Sequence, residues 1–205
     1  MKCFASMDWG YNAPGVVLWW ICLLDGHFHI WREYKFQQTT AWDVGHEIKK
    51  RTKELGLKLD YLVADPAMWQ HTGAGRGEAI AETLQRTGLP MRRGDNDRKS
   101  GWQRVHELLR LAPDGTPWLT VEDAPQCGYL RRSIAGAMSD KHDADDVDTN
   151  SDDHALDALR YGAMSRPSAG RLLVKQAQHA EMTLGWLTQR SHRPVGILSR
   201  EVRVG

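Results

Sequence analysis

Only three cysteines occur in 205 residues, Cys3, Cys22 and Cys127, and none belongs to a CxxC pair. The odd count and the spacing argue against a disulfide framework or a zinc knuckle and favour a reducing compartment. Long apolar stretches are missing too. The run Val16 to Leu24 is too short to cross a bilayer and reads as a buried strand. No basic stretch at the N-terminus precedes an apolar run and a small-residue cleavage site, so no signal peptide is expected. There is also no phosphate loop of the G-x-x-x-x-G-K-[ST] type. Gly73-Ala74-Gly75-Arg76-Gly77 lacks the Lys-Ser/Thr ending and follows Asp65-Pro66 rather than a strand, so it reads as a flexible loop. No internal repeat and no heptad seam is found.

Apolar residues make up 41% of the chain, enough for one full core, and charged residues 26%. The length implies one domain with a small appendage at most. A net charge of +1 conceals local asymmetry. Asp140 to Asp153 holds seven Asp and one Lys, whereas from Arg166 onward there are seven Arg or Lys and two Glu. The distribution therefore says more about partners than the average does. The Asp-rich stretch alone reads as a solvated linker.

Lys2 to Asp8, Val16 to Leu24 and His27 to Phe36 read as three strands, the last two joined at the hairpin signal Asp25-Gly26. A helix follows, with Thr40 as N-cap, Trp42, Val44, Ile48 and Leu55 on its apolar face and Gly56 as its stop. Leu59 to Ala64 is a short buried strand entering a loop at Asp65-Pro66. Further elements are a helix over Glu78 to Thr87, a brief strand at Leu89 to Met91 and a basic loop over Arg92 to Lys99. A helix over Gly101 to Leu111, a strand over Trp118 to Val121 and a helix over Gln126 to Met138 come next. Asp152 to Met164 is the clearest late helix, with Leu156, Leu159 and Ala163 on one face. Pro167 to Gly170 marks a boundary, giving a domain over residues 1–166 and a tail over 167–205 of helical fragments or disorder. Hairpins followed by alternating helices and strands imply an α/β fold, a mixed sheet with helices on its faces.

Chemistry concentrates in acids. Asp8 closes the first strand and Asp65 a later one, while Asp153 and Asp157, four residues apart, share one side of the last helix. Each alone is an ordinary turn former or cap. Gathered at the strand ends of an open sheet, where ligands bind, they repel one another unless a cation intervenes. Hard oxygen donors suit Mg²⁺ or Mn²⁺, and two such ions about 3.5–4 Å apart support phosphodiester cleavage.

Three segments carry a resemblance. Met7-Asp8-Trp9-Gly10-Tyr11, Ala64-Asp65-Pro66-Ala67-Met68-Trp69 and Asp153-His154-Ala155-Leu156-Asp157-Ala158-Leu159-Arg160-Tyr161 resemble the acidic motifs of the nuclease domain of tailed-bacteriophage large terminases. Asn96-Asp97-Arg98-Lys99-Ser100-Gly101 and the helix after it also resemble that family, and the similarity runs over about residues 3 to 164. The resemblance implies a ribonuclease H-like fold and a Mg²⁺- or Mn²⁺-dependent endonuclease, using two ions when substrate is bound, that cuts concatemeric DNA during packaging. By resemblance Asp8 and Asp65 are metal ligands. The third comes from the last helix: Asp153 is favoured, with Asp157 or His154 as competing choices. The implied partners are double-stranded DNA, the terminase ATPase domain, the small terminase subunit and the portal protein, and the implied location is the cytoplasm of the infected host. The family's ATPase motor needs the phosphate loop that this sequence lacks, so translocation is not expected of this chain.

Arg92, Arg93, Arg98, Lys99 and Arg104 form a basic cluster between a strand and a helix, with Arg131 and Arg132 as a second pair. Such residues contact phosphates without reading sequence. Of nine tryptophans, Trp19, Trp20, Trp31 and Trp118 sit in strand patterns and read as core. His154 is either a helix-surface histidine, a metal ligand or a group that tunes a neighbouring carboxylate. The acids alone also fit a junction resolvase or an RNA-strand nuclease, and a catalytically silent docking module is the remaining alternative.

Overall fold

The computed structural model describes residues 2–71, 77–137 and 153–166. Within Met1–Pro167, one compact unit, six strands form a single sheet. They are β1 (Lys2–Asp8), β2 (Gly15–Cys22), β3 (Phe28–Phe36), β4 (Leu59–Ala64), β5 (Met91–Arg93) and β6 (Leu119–Val121), in the order β5-β4-β1-β2-β3-β6. β1, β2 and β3 form an antiparallel meander. β4 then runs parallel to β1, β5 parallel to β4, and β6 parallel to β3 at the opposite edge. The helices are α1 (Ala41–Glu54), α2 (Ile80–Arg86), α3 (Arg98–Leu109), α4 (Gly128–Ala135) and α5 (His154–Met164). The tail beyond Arg166, the glycine loop over 72–76 and the Asp-rich stretch before Asp153 lie outside the described residues.

Period-two alternation sorts the strand side chains into two core layers. Cys3, Ala5 and Met7 of β1, with Leu62 and Ala64 of β4, pack against α1 and α2 through Val44, Ile48, Ala81 and Leu84. Phe4 of β1 and Tyr61 and Val63 of β4 face the other way. They join Trp20 of β2 in a layer closed by α3, α4 and α5. Helices thus cover both faces of the sheet, as the α/β reading requires. The two adjacent indoles of β2 point to opposite layers and find buried acceptors: Trp19 Nε1 donates to Thr52 Oγ1 at 2.9 Å and Trp20 Nε1 to Ser6 Oγ at 2.8 Å.

Several boundaries differ from the sequence reading. β5 begins at Met91, not Leu89, so Arg92 and Arg93 are strand residues rather than loop. α3 begins at Arg98, because Asp97 caps it by accepting from Ser100 N. α4 starts at Gly128, where Glu33 of β3 accepts from the backbone N–H groups of Tyr129 and Leu130 at 2.6 and 2.7 Å. Thr40 does cap α1, but Trp42 is 44% exposed and does not belong to its buried face. Trp19 and Trp20 are buried, whereas Trp31 and Trp118 are only half-buried.

α5 is the most enclosed helix, buried on nearly every side between the sheet and α3 and α4. It approaches β2 through Gly162, where an added Cβ would stand 2.3 Å from the Trp20 ring. Gly162→Ala is therefore expected to destabilise the protein by about 1–3 kcal/mol through overpacking. Urea unfolding of the variant beside the parent tests this, and an unchanged midpoint would show that Trp20 can move aside.

Candidate metal centre

The first two acids meet because β1 and β4 are parallel neighbours. Met7 pairs with Ala64, so the carboxyl ends of both strands, and Asp8 and Asp65 with them, fall at the same edge of the sheet. The alternation that sends Phe4 and Ser6 toward α5 sends Asp8 there also. Asp8 is 6% exposed, and its Oδ2 lies 2.8 Å from His154 Nδ1 in the first turn of α5. When Asp8 is ionised, His154 Nδ1–H donates to it. Asp65 starts a single 3₁₀ turn over Pro66–Trp69, and its Oδ1 accepts from Ala67 N at 2.8 Å. Its turn-forming role is thus present alongside its place at the acidic edge.

Asp157 lies one helical turn beyond Asp153 and is gripped by cations. Arg160 Nε donates to its Oδ1 at 3.1 Å, and Arg98 Nη1, from α3, lies 3.4 Å from the same oxygen. Asp153 stands at the N-terminal boundary of α5, and its carboxylate makes no capping hydrogen bond.

These carboxylates sense each other. Burial pushes the Asp8 pKa up from 3.8 to about 6; the His154 hydrogen bond opposes this, and the charges of Asp157 and then Asp65 add to it. Asp153 is also raised, by burial first and then by Asp157. Asp157 is therefore a shared neighbour of Asp8 and Asp153. Among the described residues, no three His, Cys, Asp or Glu side chains are drawn together as a finished ligand set. Asp8, Asp65 and Asp157 are each held by a protein partner instead. The chemistry of the donors nevertheless fits a hard divalent cation: an all-carboxylate group whose mutual repulsion a cation would relieve.

The basic residues flank this edge. Arg93 pairs with Ala64 in the β4–β5 register, directly beside the residue before Asp65. Arg92 lies over the Tyr61 ring at 4.1 Å and Arg93 over the Trp69 ring at 5.5 Å. Arg98 and Lys99 open α3. Arg104 is largely buried and bound to Glu107 at 3.0 Å, so it is engaged within its own helix. Arg131 pairs with Asp123, away from the acids.

The sequence reading missed Arg160. It is charged, yet 1% exposed, and it holds an acid of the cluster. Its only signal in the sequence was the i, i+3 spacing from Asp157.

A meander extended by parallel β4 and β5 on one side and β6 on the other, with acids at the ends of β1 and β4 and on the last helix, has the ribonuclease H-like fold. No family model matches the sequence, and no curated protein is found to be related. Solved structures do match, among them bacteriophage large terminases and their nuclease domains. The nuclease domain of the P22 large terminase superposes with a TM-score of 0.61 at 20% identity, over 80% of this chain and 81% of that one. A large terminase from a thermophilic bacteriophage, in complex with ATP-γ-S, gives 0.64 at 20% identity, over 79% of this chain and 39% of its own length. The bacteriophage SPP1 nuclease domain, with bound Mn, gives 0.55 at 14%, over 78% and 84%. The chain thus spans about two-fifths of the thermophilic phage terminase and has the fold of the terminase nuclease part.

Proposed function

We propose that the chain is a divalent-metal-dependent DNA endonuclease of the large-terminase kind, cutting concatemeric viral DNA during genome packaging. The observation that carries this reading is the placing of Asp8 and Asp65 at the ends of the parallel neighbours β1 and β4, with Asp8 held by His154 at the start of α5, inside a fold shared with terminase nuclease domains. Asp8, Asp65 and Asp157 would hold Mg²⁺ or Mn²⁺. For the helix ligand we propose Asp157 in place of Asp153, because the charge of Asp157 reaches Asp8. When bound, the metal, as two ions with substrate present, supplies an activated water and stabilises the leaving oxygen. The bound Mn in the SPP1 domain supports the choice of cation.

The chain's own residues do the rest. His154 holds the Asp8 carboxylate by hydrogen bonding and so fixes its rotamer. Arg92 and Arg93, stacked on Tyr61 and Trp69 at opposite faces of β5, would contact phosphates, together with Lys99 and, beside its ion pair to Asp157, Arg98 at the start of α3. Arg104, bound to Glu107, contributes least. None of these contacts reads bases, so the nuclease has little intrinsic sequence preference. The motor this function requires lies outside the 205 residues. An ATPase domain, a small subunit and a portal protein are proposed as its partners in the host cytoplasm. No helix among the described residues is long and apolar enough to cross a membrane.

Incubation of the purified chain with supercoiled plasmid and millimolar Mn²⁺ or Mg²⁺ is the direct test. The expected result is nicking and linearisation at many positions, with chelator abolishing both. DNA binding should weaken with salt, with a log–log slope of about −0.9 per phosphate contacted. Failure to cut with either ion overturns the proposal. Preference for branched over linear duplex would transfer it to junction resolution.

A further inference from the structure

Arg160 is the most deeply buried cation in the described fold, and the partners named next belong to α5, to α3 and to the segment between β5 and α3. Its Nε donates to Asp157 Oδ1 at 3.1 Å and its Nη2 to Asn96 Oδ1 at 3.5 Å. The guanidinium lies over the Tyr161 ring at 4.5 Å, and Tyr161 Oη donates to the same Asn96 oxygen at 3.1 Å. The stem passes α3 at Gly101, where an added Cβ would stand 2.5 Å from Arg160 Cγ. Among the described residues, Nη1 is buried without a hydrogen-bond partner.

A buried guanidinium with one unused nitrogen is an expensive way to fill a core. An apolar side chain of similar volume commonly does as well or better in such a place. What an apolar residue cannot do is hold a carboxylate in one orientation. The planar fork of arginine does this, and lysine does not reproduce it.

We propose that Arg160 is a positioning residue. Its buried guanidinium, braced by Asn96 and Tyr161, sets the orientation of the Asp157 carboxylate at the acidic edge. Asn96 lies between Arg93 and Arg98, so the brace also ties that carboxylate to the segment carrying the basic residues. The inference rests on the reading of Asp157 as a metal ligand.

The test uses the whole chain and two variants, Arg160→Lys and Asn96→Ala. Asn96 is exposed, so its variant folds even where a core change does not. Mn²⁺ affinity is measured from the electron paramagnetic resonance signal of free Mn²⁺, with thermal melting alongside. Groups that orient metal ligands typically cost about 10–100-fold in affinity when replaced. Arg160→Lys is expected to fall in that range and Asn96→Ala at about three- to tenfold, with an unchanged melting temperature for Asn96→Ala. If both variants bind Mn²⁺ as the parent does, the inference is overturned, and a lowered melting temperature with parental affinity also overturns it. If Arg160→Lys does not fold, Asn96→Ala alone decides. A parent that takes up no Mn²⁺ removes the ligand reading and this inference with it. A parent that binds Mn²⁺ but leaves plasmid intact removes only the nuclease reading, and weaker binding by the variants still supports Arg160 as the positioning group.

Discussion

Asp8→Asn and Asp65→Asn are each expected to abolish plasmid cleavage in a protein that remains folded, and Asp8→Asn is expected to melt above the parent. Asparagine keeps the carboxylate's shape and loses the charge that a cation needs. At position 65 its carbonyl can still accept from Ala67 N, which preserves the turn. At position 8 the argument is electrostatic. The folded protein raises the Asp8 pKa from 3.8 to about 6, so it binds that proton more tightly than the unfolded chain does. The ionised form is then penalised in the fold. The penalty is absent below pH 3.8, grows as pH rises toward about 6, and is complete above that. A shift of this size corresponds to on the order of 3 kcal/mol. That shift already includes the opposing His154 hydrogen bond, so the gain reaches on the order of 3 kcal/mol, or roughly 6–12 °C in Tm for a chain of this length. Melting curves at neutral pH and near pH 4 check the sign, because the advantage of Asp8→Asn should vanish in acid. If Asp8→Asn cuts at the parental rate, the nuclease assignment itself fails.

Asp157→Asn should abolish cleavage as completely as Asp8→Asn, while Asp153→Asn retains part of it. The charge of Asp157 reaches both Asp8 and Asp153, and Arg160 and Arg98 hold its carboxylate. The stability of Asp157→Asn should move the opposite way from that of Asp8→Asn. Arg160 loses its charged partner while still buried, which is costly, and a loss on the order of 1–3 kcal/mol is expected. Circular dichroism separates inactivity from unfolding. Equal residual activity in the two variants would return the third ligand to an open choice within the first turn of α5.

Much of this fold was legible because strand period and turn chemistry agree. Asp25-Gly26 marks a hairpin in which Gly26 takes a φ of 94°, and the alternation of β1 assigns Asp8 to the α5 face before any contact is known. What was not legible has physical reasons. β5 is three residues long and two are arginines, so its strand character comes from pairing with β4 and from rings beneath the guanidinia rather than from apolar content. The cap of α4 is supplied by Glu33, about a hundred residues away in sequence, where local capping rules do not reach. The choice between Asp153 and Asp157 depends on where α5 begins and how it lies on the sheet. Helical spacing alone leaves both acids on one side. Arg160 drew no attention because charge is the usual marker of exposure, and only the pairing with Asp157 and Asn96 shows why it is buried.

The enclosure of α5 has a consequence for the order of events in synthesis. Of the described elements α5 leaves the ribosome last, and 146 residues separate His154 from its partner Asp8. Until it arrives, Phe4, Trp20 and Val63 lack the cover that α5 gives them, and Asp8 and Asp65 stand at the sheet edge without the third acid. The helix that shields the apolar face is also the one that completes the acidic cluster. A nascent chain therefore gains the cover of this apolar face and the acids of α5 in the same step.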